Sequence, residues 1–305
     1  MERGCDQMMG VKGRKRKQRE IMYDCVFVGP ALIIFLIFVL LPFLMSVILS
    51  FTSWNGQTAP EWTGLSNYKL IFSGTDSFGR NLWFTAKYAF MYVAAVNILG
   101  LVFAVLLTNK FVKFRNLSRT MIILPYMVSG LVLGFIWQFI FNKVFPQIGT
   151  AMNSDLLETS WLATPKMAFY ALVMVSVWQM AGYVMFIYIA ALLNIPSELV
   201  ESAQLDGAGG FQIFRKVKFP LIMPAVTIGL FYAANTAFKV FDVNFALTNG
   251  GPANSTVSVA MDIYNEAFAR SNHGLGCAKS TIFFLVVAAL TFVQLKFTQS
   301  REVQM

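Results

Sequence analysis

Six stretches of this chain are apolar for long enough to cross a bilayer's hydrocarbon core, which takes about 20 residues of helix. Uncharged runs occupy 25–60, 88–109, 121–142, 167–197 and 219–238. A sixth, 280–295, reaches full length only by starting near Leu275 and taking in Lys279. The pattern predicts an all-α, polytopic membrane protein with six transmembrane helices, at about 26–49, 86–108, 121–142, 168–193, 220–241 and 275–296. They make one transmembrane domain over 25–297, between a basic tail at 1–24 and a short tail at 298–305. Pro30 and Pro42 lie inside the first run, where a kink is expected.

Composition agrees with lipid as the solvent. The 305 residues are 57% hydrophobic and 13% charged, about half the charge of a soluble domain. The net charge of +9 is distributed unevenly. Arg3, Lys12, Arg14, Lys15, Arg16, Lys17 and Arg19 precede the first run, and Lys110, Lys113, Arg115 and Arg119 separate the second from the third. Arg215, Lys216 and Lys218 follow the fourth, and Lys296 and Arg301 follow the last. With six spans these residues share one side, so the positive-inside rule places both termini in the cytoplasm of a cell-membrane protein. The KGRKRKQR run reads as a topology anchor and not as a nucleic-acid site. The first run is longer than a signal-peptide core and is expected to be retained. Cys5, Cys25 and Cys277 have neither disulfide-framework nor metal-site spacing.

Between the fourth and fifth runs lies ELVESAQLDGAGGFQIFRKVKFP, far more than a turn needs. Its first part reads as a short helix. Pro196 suits a first turn, Glu198 suits the positive N-terminal end, and Gly207, Gly209 and Gly210 break the helix. FQIFRKVKFP supplies a second helical piece, with Pro220 marking re-entry into the membrane. Leu199, Ser202, Ala203 and Asp206 share one face of the first piece, and Ala203 and Gly207 are small enough for a partner to approach closely. Physical chemistry alone leaves two readings open, a docking element and an ordinary amphipathic interfacial loop.

The residues themselves go further. Glu201-Ser202-Ala203, three residues, Gly207, nine residues, then Val217-Lys218-Phe219-Pro220 resembles the E-A-A-x3-G-x9-I-x-L-P loop of permease subunits in bacterial binding-protein-dependent ABC importers. Ser202, Val217 and Phe219 depart from that pattern by small or apolar replacements. FALTNGGPANSTVSVAMDIYNEAF and WTGLSNY are similar to segments of sugar permeases of the maltose and glycerol-phosphate type, in the first of their two permease subunits. The resemblance implies that 198–220 is a cytoplasmic coupling helix seated in an ATPase, with Glu201, Ala203, Asp206, Gly207 and Pro220 as coupling residues. It further implies a second permease subunit, a cytoplasmic P-loop ATPase dimer and an extracytoplasmic substrate-binding protein. Asn249, Gly250, Gly251 and Pro252, first of all a turn, are implied to face that binding protein. The chain has no G-x-x-x-x-G-K-[ST] loop, so no cofactor is expected and ATP is left to the partner.

Polar groups inside spans are functional candidates because they are costly in lipid. Gln179 and Tyr183 in the fourth run, and Asn235, Lys239 and Asp242 at the fifth, are candidates for a sugar path; Asn97, Gln138, Trp178 and Tyr188 join them. The competing reading is interhelical hydrogen bonding, with Lys239 and Asp242 pairing or reaching the interface. An enzyme is not expected: His273 is the only histidine and no catalytic motif occurs. A secondary carrier for a small polar solute is the alternative class.

Overall fold

The computed structural model describes residues 26–109 and 112–299. The predicted tail over 1–24, Lys110, and the tail from 300 onward lie outside the described residues.

The chain is helical almost throughout. The first apolar run forms α1, Gly29–Leu49, which widens to a π-helical turn over Leu36–Leu40 just before Pro42. A five-residue hydrogen-bond step accommodates the N–H that Pro42 lacks. A short helix α2, Ser66–Phe72, precedes α3, Phe78–Thr108. Next come α4, Arg115–Met127, and α5, Gly130–Met152. The fourth run forms α6, Pro165–Leu193. The loop that follows holds α7, Ser197–Leu205, and α8, Gly210–Leu221. The C-terminal part holds α9, Met223–Phe238, then α10, Asp242–Leu247, then α11, Val259–Tyr264, and finally α12, His273–Gln299.

Burial identifies the centre of the bundle. In α6, 67% of the most apolar window is buried, against 28% in α3, 22% in α12 and none in α1. Small residues set the close contacts. A Cβ at Gly182 would collide with the Ile122 carbonyl of α4, and one at Gly100 would lie 2.8 Å from Val184 of α6. Gly134 of α5 seats against Ala246 of α10 in the same way. By contrast, no residue of α1 is buried; it meets α12 through Phe43 and Phe284, 4.8 Å apart.

Three helix boundaries differ from expectation. The helix expected over 121–142 is broken: α4 ends at Met127, Val128 is extended, and α5 starts at Gly130 and continues to Met152. Hydropathy cannot register this break, because the carbonyl it frees is satisfied from another helix, by Gln179 (Nε2 to Val128 O, 2.9 Å). The fifth apolar run is bent by 69° between α8 and α9, at Ile222. Pro220 therefore lies inside α8, and Pro224, in the first turn of α9, stands at the re-entry point instead. Since α9 stops at Phe238, Lys239 and Asp242 sit on either side of a second break and not on one helix.

Candidate functional site

The loop between α6 and α9 projects from the bundle as two helices joined at a glycine corner. In α7 Pro196 occupies the N-cap, Glu198 lies in the first turn and no residue is buried. The helix ends as its backbone curls back: Gly207 N donates to Gln204 O at 3.0 Å and Ala208 N to Ala203 O at 3.0 Å. This closure requires the left-handed conformation at Gly207 (φ +81°), while a Cβ there would touch nothing among the described residues. Gly207 is thus needed for the corner's shape, and the space around it is left open. Gly209 starts α8, where its N–H donates to Gln212 Oε1 at 3.2 Å.

Leu205 is 90% and Phe211 75% exposed at this corner. Asp206 is also exposed and, among the described residues, its carboxylate has no partner. Glu201 faces the other way, lining a cavity of about 620 Å³ with Thr108, Leu192, Ser197, Phe214 and Lys218. The predicted coupling residues thus gather on one projecting element, except that Pro220 lies at its far end, within α8.

A second polar space opens within the bundle. About 210 Å³ is enclosed by Tyr88 and Tyr92 of α3, Ser176 and Gln179 of α6, and the break carrying Lys239 and Asp242. Three of the five residues predicted for a substrate path therefore converge. Lys239 and Asp242 form no ion pair with each other among the described residues, since Val240 and Phe241 separate their two helices. Tyr183 lies elsewhere, in an aromatic stack with Tyr126 (4.7 Å) and Tyr232 (4.6 Å), whose hydroxyls meet at 3.1 Å. Asn235 does not line the cavity. The remaining polar candidates act between helices: Tyr188 donates to Asn97, and Gln138 donates to the Leu247 carbonyl of α10 at 3.3 Å. Trp178 packs edge-on against Trp137 at 5.6 Å.

The Gly-Gly-Pro segment is a tightly wound turn built on a buried asparagine. Asn244 Nδ2 donates to Thr256 O at 2.8 Å, and Thr248 Oγ1 donates to Asn244 Oδ1 at 2.8 Å. Thr256 Oγ1 contacts Gly251 O at 2.7 Å. Asn249, Ala253 and Asn254, all with positive φ, are left exposed at the tip, while Gly250 is buried.

Residues 96–300 match the family described as binding-protein-dependent transport system inner membrane component. The chain belongs to that family. This inner membrane component is 42% identical, over 92% of its length and 95% of the relative's, to a probable starch degradation products transport system permease protein of Thermoanaerobacterium thermosulfurigenes. It is 31% identical to a multiple sugar-binding transport system permease protein of Streptococcus mutans, over 94% of its own length and 99% of the relative's. Its fold is similar to that of one chain in a bacterial ABC transporter involved in the import of the acidic polysaccharide alginate. There the TM-score is 0.81 at 20% identity, covering 93% of this chain and 99% of that one.

One cluster in the inner membrane component was hidden in the sequence. Lys279, which hydropathy marks only as a flaw in the last run, is fully buried. Its Nζ contacts Asp76 Oδ2 at 2.9 Å, Asp262 Oδ2 at 3.1 Å and Glu266 Oε2 at 3.2 Å. Asn272 and Arg270 add hydrogen bonds to Glu266, at 2.9 and 2.8 Å. Burial pushes Asp262 above the ordinary carboxylate value, more than the Lys279 ammonium pulls it down. Burial acts likewise on Glu266, but the Asn272 amide and the nearby Lys279 and Arg270 outweigh it and hold Glu266 low. The cluster ties the α2–α3 turn and α11 to α12. Asp76 is remote in sequence from Asp262 and Glu266, so only the fold reveals the three as partners of Lys279.

Proposed function

We propose that this inner membrane component is a permease subunit of an ABC importer for a sugar or sugar oligomer. In this reading it works with a second permease subunit, a cytoplasmic ATPase pair and an extracytoplasmic binding protein. The carrying observation is the projecting α7–α8 corner, uncovered by the other described residues and bearing Glu201, Ala203 and Gly207 in the coupling-loop pattern. The sugar assignment rests on the relatives, whose names specify starch degradation products and multiple sugars. Both termini are cytoplasmic in this reading, which puts the corner on the ATPase side and the Gly-Gly-Pro turn on the binding-protein side.

ATP is bound and hydrolysed by the partner, and this chain holds no cofactor. Closure of the ATPase pair displaces α7–α8, and the bundle moves between inward-open and outward-open states that ligands favour differently. The cavity at Gln179, Lys239 and Asp242 offers amide, ammonium and carboxylate groups to sugar hydroxyls, beside the aromatic rings of Tyr88 and Tyr92. Exposed Asn249 and Asn254 supply the polar tip that the binding protein meets.

The test is co-purification combined with uptake. Ala203→Trp adds bulk to α7, a helix with no buried residue, so it should leave the chain in the membrane while the ATPase no longer co-purifies and uptake of labelled maltodextrin stops. Uptake that continues after ATP depletion would instead make the chain a secondary carrier.

A further inference from the structure

The ends of α3 and α6 that begin at Phe78 and Pro165 enclose a pocket of about 410 Å³ with an unusual charge balance. Arg80, Lys87 and Lys166 line it, and no carboxylate does. Positive residues are sparse on this side: Lys69, Arg80, Lys87, Lys143, Lys166 and Arg270 are those in the outer segments, and three of these six share the one pocket. None of the three has a hydrogen-bonding or ion-pair partner among the described residues. Lys87 is instead held over the ring of Phe169, 4.8 Å from its centroid. Ser255 Oγ, also in the lining, is buried without a hydrogen-bond partner. The positive N-terminal end of the 29-residue α6 opens into the same space.

An apolar groove adjoins this pocket. Tyr170 borders both. The groove, about 600 Å³, runs down the bundle past Trp161, Met174 and Trp178 to Leu99 and Phe103. Trp83 stands at the mouth of the cationic pocket, 73% exposed, where an indole belongs at headgroup level. An anionic head joined to a long apolar tail has the chemistry that matches both spaces at once. A free anion leaves the groove empty, and a neutral lipid leaves three cations unpaired.

We propose that this composite site binds one anionic phospholipid, with its phosphate-bearing head among Arg80, Lys87 and Lys166 and an acyl chain in the groove beneath Tyr170. The proposal does not depend on which solute the transporter carries.

The test uses the assembled transporter, purified in detergent, exchanged into mixed phosphatidylglycerol and phosphatidylcholine micelles and read by native mass spectrometry. Retention of phosphatidylglycerol in preference to phosphatidylcholine is expected at one site per copy of this chain. Combined substitution of Arg80→Gln, Lys87→Gln and Lys166→Gln should lower that preference by on the order of tenfold, allowing for solvent screening of exposed charges. Leu99→Trp, which fills the groove at a partly exposed position, should reduce retention of both lipids while leaving the assembly intact. Equal retention of the two lipids by the parent overturns the proposal. So does displacement of phosphatidylglycerol by millimolar inorganic phosphate with no effect of Leu99→Trp, which would make the pocket a site for free anions. A lipid retained by the chain alone but absent from the assembly would show that the second subunit covers the groove, and would overturn it equally.

Discussion

Replacing Lys279 with methionine keeps the length and apolar stem of the side chain and removes its charge. Three carboxylates then lose the cation that sits 2.9 to 3.2 Å from each of them. At an effective dielectric of about 20, each contact is worth roughly 5 kcal/mol before desolvation and carboxylate repulsion are subtracted. The net loss on removing one partner of a buried ion pair is about 3–5 kcal/mol. An independent bound agrees. The cluster can relieve itself by taking up a proton, and protonating an ordinary carboxylate at neutral pH costs about 4 kcal/mol. Asp262, already raised by burial, is the carboxylate that would take it. The assay is a thermal melt of the purified protein in detergent, followed by its monodisperse fraction. Lys279→Met should melt on the order of 10 °C below the parent. Adding Asp262→Asn and Glu266→Gln should recover most of the loss, because the neutral side chains need no cation. A single variant melting within about 2 °C of the parent would show that the cluster behaves like a solvated surface pair, worth at most about 1 kcal/mol.

Glu266 is held low in the folded protein, so its contribution is complete above about 4.5 and is lost as pH falls through the folded value. Asp262 is raised, so its contribution is present below about 3.8 and is lost as pH rises through its own folded value. Melts taken between about pH 3 and 7 should therefore show the acid-side decline flattened in Glu266→Gln and a gain at neutral pH in Asp262→Asn; unchanged profiles would refute the assignments. Gly182→Val should destabilise the bundle by about 1–3 kcal/mol or more, because its Cβ meets the rigid Ile122 backbone. A melt unchanged from the parent would show that α4 and α6 can separate freely.

How much of this was legible in the sequence depended on how local the cause was. The apolar runs that became α3 and α6 are long and uniform, and hydropathy located both, missing only the turns that begin at Phe78 and Pro165. The corner at Gly207 was equally legible, since a glycine two positions beyond the last helical residue, Leu205, has a backbone reason to be there. The break at Val128 was not legible, because its carbonyl is satisfied by Gln179, 51 positions away. Gln179 itself was picked out as a polar residue in a span, but whether it serves a solute, the backbone, or both is a question of distance. The charge cluster was hidden for the same reason. Lys279 is 17 and 13 residues from the carboxylates of α11 and the turn after it, respectively, and Asp76 lies far upstream. Tyr183 stands apart from the Gln179 cavity because helix phase, which one spacing of four cannot fix, turns it toward Tyr126 and Tyr232.

The central position of α6 has a mechanical consequence. Its 29 residues make a rod about 42 Å long, with the α7–α8 corner fastened at one end and Thr164 and Pro165 at the other. A rod gripped along most of its length by neighbours cannot bend to absorb a push, so it answers by tilting. Rotation by about 10° about one end would sweep the other through about 7 Å, comparable to the width of a sugar ring. The cavity beside Gln179 lies part-way along this lever, so a stroke applied at one face of the bilayer arrives there as a change in shape.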